Sequence, residues 1–418
     1  MATKRDVIVI GGGAAGMMAA LFSARAGARV TLLERNEKLG KKVYITGKGR
    51  CNVTNAADME QCMRSVFRNP RFLYASFSAL DNRGVMSLLE SLGVPLKVER
   101  GERVFPASDK ASDVISALQG ELRRLGVSIR LHARVASLEL EDGVCRGVRL
   151  ESGERLAADA VIVATGGVSY PSTGSTGDGY AFAEAAGHGV KSAVPVLVPV
   201  ETIESWPASL MGLSLKNVRL TALTTGGRKA KKLYSEQGEM LFTHFGISGP
   251  LVLTMSSLLP EDLSGVRLSI DLKPALDEQT LDARLLRDFK AMSRRQLIAV
   301  MDGLEPHSLA EQLLKLAGLS PTMPVNGVTA GQRRAILNLL KDLPLTPKAL
   351  RGFNEAIVTR GGVEVREINP STLESKRVKG LFFAGEVLDV DAQTGGFNLQ
   401  IAWSTGALAG ASAARGGE

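Results

Sequence analysis

Residues 6–34 limit what this chain can fold into more than any other stretch. Asp6-Val7-Ile8-Val9-Ile10 is a short β-branched run, the pattern of a strand buried on both faces. Gly11, Gly13 and Gly16 follow in GxGxxG spacing, then a helical stretch with small Ala20 and Ala24 where it must lie against a sheet. Gly27 ends that helix, Arg29–Leu33 reads as a second strand, and Glu34 stands at its end, 18 residues after Gly16. Each part has a physical task. The first glycine permits the tight turn, the second lets backbone approach a pyrophosphate, and the third lets helix and strand pack closely. The helix N-terminus offers unpaired N–H groups and a positive dipole end to phosphates. Glu34 is placed to accept hydrogen bonds from a ribose diol. The whole unit predicts an α/β chain that binds a dinucleotide.

Two later segments choose the dinucleotide. Val161-Ile162-Val163-Ala164-Thr165-Gly166-Gly167 is a strand running into Thr-Gly, and Gly380-Leu381-Phe382-Phe383-Ala384-Gly385-Glu386 is a strand running into Gly-acid. With the first fingerprint they resemble the glutathione-reductase-type FAD fold, in which a C-terminal segment returns to close the flavin site. That resemblance implies a late acidic residue near the ribityl chain, a place that Glu386 or Asp389 matches. No second GxGxxG-plus-strand unit is present. A dedicated NAD(P)H domain is therefore not expected, and NAD(P)H is expected as a transient electron donor.

Composition narrows the setting. A chain of 418 residues calls for two or three domains. Its formal net charge of +8 suits a polyanionic partner, an anionic cofactor, or simply a basic enzyme. Cys51, Cys62 and Cys145 are an odd set without metal-like or Cys-x4-Cys spacing, which predicts a reducing, cytoplasmic setting, no bound metal and no dithiol reductase. No apolar run approaches the ~18 residues of a membrane span. No GxSxG elbow occurs and there are only four histidines, so a triad hydrolase is not expected.

The expected organisation is a discontinuous FAD domain of residues 1–190 and 356–418, a β-rich substrate domain of residues 191–275 and 346–355, and a helical insertion of residues 276–345. Alternation around Leu215–Leu223 and Val266–Leu272 predicts strands of a small antiparallel sheet or barrel. Leucines at helical spacing (Leu281, Leu285 and Leu286; Leu309, Leu313 and Leu314; Leu337 and Leu340) predict three helices with core-facing stripes.

Four further segments are more specific than GxGxxG: GKGRCNVTN (47–55), ATGGVSYPSTGSTGDGY (164–180), LFTHFGISGP (241–250) and ESKRVKGLFFAGEVLDVDAQTGGFNLQIAWSTG (374–406). By these the chain resembles the BaiN/RdsA (YhiN-like) flavoproteins over nearly its whole length. The resemblance implies a reductase. It also implies one of two substrate types: a uridine of large-subunit (23S) ribosomal RNA, reduced to dihydrouridine, or an unsaturated steroid of bile-acid dehydroxylation. The four segments do not separate the two.

Both substrates carry an alkene conjugated to a carbonyl, so reduction needs a hydride at the electron-poor carbon and a positioned acid for its neighbour. Cys51 is the leading acid, because a free thiol of pKa about 8.5 is mostly protonated near neutrality. Lys48 and Arg50 pull the other way, toward thiolate. The alternative is that Cys51 is a small residue packed under the flavin. Tyr170 and His244 are further acids, with Tyr44 beside them. The expected cofactor contacts begin with Gly11, Gly13, Ala14, Ala15 and Gly16 at the pyrophosphate and Glu34 with Arg35 at the ribose. They continue through Lys42, Gly47, Gly49, Arg50, Cys51 and Asn52 in the cationic loop, then Val135, Thr165 and Gly166. Gly385, Glu386, Asp389, Gly395, Gly396, Asn398 and Leu399 close the set. In the loop 391–400, paired glycines would let backbone N–H groups reach the flavin, and the following helix would present its N-terminus.

Charge bears on the substrate. Residues 205–235 hold no Asp, Glu being limited to the flanks, but include Lys216, Arg219, Arg228, Lys229, Lys231 and Lys232. Lys38, Lys41, Lys42, Lys48, Arg64, Arg68 and Arg71 lie near the opening loop, and Arg284, Arg287, Lys290, Arg294, Arg295, Arg333 and Arg334 in the helical insertion. These predict a track for a single-stranded or loosely folded RNA backbone. A solvated lysine-rich hairpin is the simpler account of residues 228–232. A steroid reductase would need a large apolar pocket instead. A third possibility is a non-catalytic, flavin-dependent RNA-binding or redox-sensing protein.

Overall fold

The computed structural model describes residues 4–225 and 230–416. Arg228 and Lys229 of the expected basic track lie outside the described residues. The chain divides into two compact units: residues 1–196 with 353–418, and residues 197–352.

The first unit is built on a five-stranded parallel sheet. Its strands are β1 (Asp6–Ile10), β2 (Arg29–Leu33), β3 (Ser128–Arg130), β4 (Ala160–Val163) and β5 (Leu381–Phe383), in the spatial order β5-β4-β1-β2-β3. Val9 of β1 sits between Ile162 and Leu32 in register. Val7, Val9, Leu32, Val161, Ile162 and Phe383 are all fully buried. Such runs suit this place because a parallel sheet is covered on both faces.

Two helices pack on the sheet and on each other: α1 (Ala14–Arg25) and α2 (Phe397–Arg415). Their backbones touch. A Cβ on Gly406 would lie 2.3 Å from the Ala15 carbonyl oxygen, and Ser23 donates to the Gly410 carbonyl at 2.9 Å. Three-stranded antiparallel sheets at 54–106 and 135–157 flank this core, and the strand Val190–Val196 pairs antiparallel with Val358–Val363.

The second unit holds a seven-stranded sheet with the order 343–345, 266–271, 214–224, 232–243, 246–248, 200–202, 347–350. Helices Glu278–Ala291, His307–Leu316 and Ala330–Lys341 form where leucine spacing predicts them. They do not build a core of their own. Leu281, Leu285, Leu313 and Leu337 join Leu220, Phe242 and Ile270 in one apolar cluster. Three parts were expected; the contacts divide the chain into two, because the sheet has an apolar face that these helices cover. The boundary also moves. Val190–Val196 belongs with the first unit, since its partner strand follows residue 353. Leu286, counted in a core stripe, is 46% exposed.

Candidate active site

At the nucleotide end, close packing and open space alternate. A Cβ on Gly16 would lie 1.8 Å from the Gly11 carbonyl oxygen, so only glycine allows this approach of turn and helix. Gly13 differs. Its φ of −78° is open to any residue, and nothing lies within 4 Å of the position a Cβ would take. The protein itself gives no reason for glycine there; a pyrophosphate against the N-terminus of α1, where Ala14 and Ala15 begin the helix, does.

Glu34 is buried, and its carboxylate accepts from the backbone N–H of Gly12 at 2.8 Å and of Asn36 at 2.8 Å. Ala133 N–H donates to the Glu34 carbonyl, which brings buried Val135 to the same edge. Arg35 is held by Thr176 and Asp178, and Arg134 pairs with the same Asp178. Thr165 Oγ1, after β4, is buried without a hydrogen-bond partner among the described residues. Beside it Gly166 takes a φ of +75°. An orphaned hydroxyl at this strand end, the space at Gly13 and the fixed Glu34 carboxylate fit FAD.

At the other end, segments from four parts of the chain meet on one carboxylate. Glu386 accepts from Lys42 Nζ at 2.6 Å, Ser169 Oγ at 2.9 Å and Thr359 N–H at 2.8 Å. Thr359 Oγ1 in turn accepts from the N–H groups of Val168 and Ser169. Asp389 turns elsewhere and meets Arg68 and Asn69. Of the two acids offered for the ribityl chain, Glu386 has the company of the flavin-fingerprint segments. Ser169 and Thr359 escaped sequence reading. Thr359 in particular carries no local signal, being an ordinary strand residue until the fold brings it to Ser169.

The loop 47–55 and the glycine turn 395–396 are joined strand to loop. Asn55 Nδ2 donates to the Gly395 carbonyl at 3.0 Å. The Asn52 amide accepts from Gly396 N–H at 3.0 Å and donates to the carbonyls of Thr54 and Val104 at 3.1 Å. A Cβ on Gly396 would lie 2.3 Å from the Thr54 carbonyl oxygen. Trp403 Nε1 and Gln400, both in α2, fix Val53 and Thr54. Asn398 closes its own loop through Ala392, and Leu399 packs on the core. Gly385 N–H donates to Thr405 Oγ1 of α2.

Cys51 answers to burial rather than to its basic neighbours. Its side chain has no exposed surface, and desolvation pushes the thiol up to about 12, against a small opposing pull from Thr46. Arg50 is drawn away by Glu99 and Asp109 and lies 4.0 Å over the Phe105 ring. Gly47, Lys48, Gly49 and Cys51 are all left-handed, so the turn is tight. Tyr170 is half-buried, and desolvation followed by Glu355 raises its hydroxyl above the usual value. His244, in the second unit, is exposed and packs edge-on against Phe245.

Many of the expected basic residues are already paired. In the second unit Arg333 meets Asp282 and Arg334 meets Glu278, while Arg284 and Arg287 share Asp288. Arg219, Lys231 and Lys232, on and beside the strands Ser214–Thr224 and Lys232–Thr243, have no carboxylate partner among the described residues.

A sequence model of the HI0933-like protein Rossmann domain matches residues 5–412. The chain belongs to this family. It is accordingly a flavin-dependent oxidoreductase. Among curated relatives of this HI0933-like chain, a 3-dehydro-bile acid delta(4,6)-reductase of Clostridium scindens is 34% identical over 412 residues, covering 97% of this chain and 98% of that one. A ribosomal RNA dihydrouridine synthase of Escherichia coli is 30% identical over 401 residues, covering 96% of each. One of Haemophilus influenzae is 31% identical over 409 residues, covering 97% of each. Among solved structures, a 3-ketosteroid delta1-dehydrogenase from Sterolibacterium denitrificans shares the fold with a TM-score of 0.53 at 14% identity, covering 98% of this chain and 99% of that one. No helix among the described residues is long and apolar enough to cross a membrane.

Proposed function

We propose that this oxidoreductase reduces a uridine of large-subunit ribosomal RNA to dihydrouridine. The observation that carries the reading is the unpaired basic hairpin of Arg219, Lys231 and Lys232, a place for RNA phosphates. Two relatives named as ribosomal RNA dihydrouridine synthases, matched over nearly the full chain, support it. A target base must be unstacked, so the substrate is single-stranded or loosely folded.

FAD, when bound and reduced, supplies the hydride. The chain's residues do the rest. The N-terminus of α1 holds the pyrophosphate and Glu34 the adenosine ribose. Glu386, held by Lys42 and Ser169, would accept from the ribityl hydroxyls. The joined loops at 52–55 and 395–396 form a rigid wall for the ring. Tyr170, protonated and partly open, is the acid for the carbon beside the hydride acceptor. Cys51, sealed from solvent, packs beneath the loop.

The test is mass spectrometry of ribosomal RNA from a strain lacking the gene. The expected result is loss of one dihydrouridine, restored by the intact gene; unchanged modification overturns the reading. The 34% identical bile-acid reductase favours a second reading, reduction of a small conjugated ketone. Turnover of a steroid dienone by the purified protein, with ribosomal RNA inert, would establish it.

A further inference from the structure

The first unit carries a second polar cavity that the flavin site does not use. It has a volume of about 220 Å³ and is lined by Arg68, Asn69, Lys191, Glu364, Arg366 and Asp389, with Val365. At ~30 Å³ per water it has room for about seven waters. It therefore exceeds a bare-ion site, yet falls short of the ~300 Å³ at which drug-sized pockets begin, so a steroid does not fit.

Its floor is Asp389, whose side chain is 5% exposed. Among the described residues Asp389 Oδ1 has no hydrogen-bond partner. Arg68 Nε lies 3.3 Å away, an ion contact without hydrogen-bond alignment, and Asn69 Nδ2 reaches only Oδ2, at 3.4 Å. A buried carboxylate oxygen left without a donor is costly, and the usual remedy is a ligand donor. At the rim, Lys191 pairs with Glu364 at 2.8 Å. The guanidinium of Arg366 is exposed and has no partner among the described residues. The cavity thus presents a buried carboxylate below and, among the described residues, one unpaired guanidinium, that of Arg366, at the rim.

We propose that this cavity binds the phosphorylated ribose of a nicotinamide dinucleotide, the reductant that recharges the flavin. A carboxylate takes the ribose 2′-hydroxyl in NAD sites and an arginine takes the 2′-phosphate in NADP sites; with the 2′ position phosphorylated, the carboxylate is left the neighbouring ribose hydroxyl. An RNA backbone is the poorer occupant, because it would carry a row of phosphates past the two carboxylates, where the ribose brings a single one to Arg366. The chain has only one glycine fingerprint, and the flavin occupies it, so the reductant docks elsewhere. The place is apt. Asp389 follows Glu386 by three residues, and burial, then Glu386 and Asp389, raise the Tyr180 hydroxyl above its usual value. The dinucleotide surrenders a hydride to the flavin and leaves as the oxidised nicotinamide, so two electrons and the hydrogen pass together.

The inference rests on the reading of the chain as a reductase supplied by a nicotinamide dinucleotide. Its test needs no acceptor. Anaerobic bleaching of the FAD-bound protein is followed while NADPH or NADH is titrated. Arg366→Ala should raise the half-saturating concentration of the effective dinucleotide about tenfold or more. Asp389→Asn, of nearly equal volume, should raise it severalfold, and both should keep bound, yellow FAD. When either variant is reduced with dithionite instead, product formation should equal that of the parent. Unchanged saturation in both variants overturns the proposal, as does loss of RNA binding with dinucleotide saturation intact. Failure of the parent protein to bleach with either dinucleotide would sink the underlying reading instead.

Discussion

Two side chains compete for the role of acid, and they differ in burial. A thiol with no exposed surface and a pKa near 12 is protonated, and giving up its proton would leave a desolvated thiolate behind. Cys51→Ala is therefore expected to keep most turnover and lose about 1 kcal/mol of stability to a small cavity. Tyr170→Phe is expected to keep the flavin and lose about 10²–10⁴-fold in rate. Loss of turnover in the cysteine variant, with flavin retained, would reverse the assignment. A second residue-scale expectation concerns acid. Glu367 binds Arg377, accepts from Gly189 N–H at 2.9 Å and faces His188 Nδ1 at 3.2 Å, and these hold it down to about 2. Ser375 Oγ accepts from the N–H groups of Arg377 and Val378, so its own proton goes to His188 Nε2 and leaves Nδ1–H to face Glu367. Burial lowers the imidazole pKa. Both shifts are downward. The stability they contribute is present above the unfolded values of about 6.5 and 4.3, and is lost as pH falls through the folded ones. Thermal melts of Glu367→Gln should show a lower Tm at pH 7, by about 2 °C or more, and a flatter acid limb. An acid limb identical to the parent's would contradict the linkage.

At the scale of elements, the decisive contact is the joint between 52–55 and 395–396. Gly396 has a φ of +101° and no room for a Cβ beside Thr54. Gly396→Ala is expected to cost about 1–3 kcal/mol and to release FAD on dialysis; a variant that stays yellow with parental stability would refute the joint's role. This joint also marks how far the sequence can be read. Strand, turn and helix at 6–25 were legible because their periodicity and glycine spacing are local. The leucine-striped helices were legible for the same reason. Their sharing a core with the sheet was not, since a stripe states which face is buried and not what covers it. Glu386 was visible from the segment that carries it. Thr359 and Ser169 acquire their meaning only across 190 residues of chain. The burial of Cys51, and the pairing of its neighbour Arg50 with Glu99 and Asp109, likewise come from tertiary contacts that no local spacing encodes.

For the whole molecule, the formal charge of +8 is what remains of 51 basic residues after 43 acidic ones, and ion pairs already engage several arginines of the helical segment. If Arg219, Lys231 and Lys232 each neutralise one phosphate, their combined replacement by alanine should weaken RNA binding and reduce the slope of log affinity against log salt by about 2. An unchanged slope would exclude this face. The discontinuity of the first unit has its own result during synthesis. Its sheet begins at Asp6 but acquires β5 only at Leu381, and α2, which braces both loops of the site, ends at Arg415. A ribosome-tethered chain can therefore complete the second unit while the cofactor cradle is still missing a wall. Loading with FAD has to await that last strand and α2, and a chain halted at residue 380 should emerge colourless.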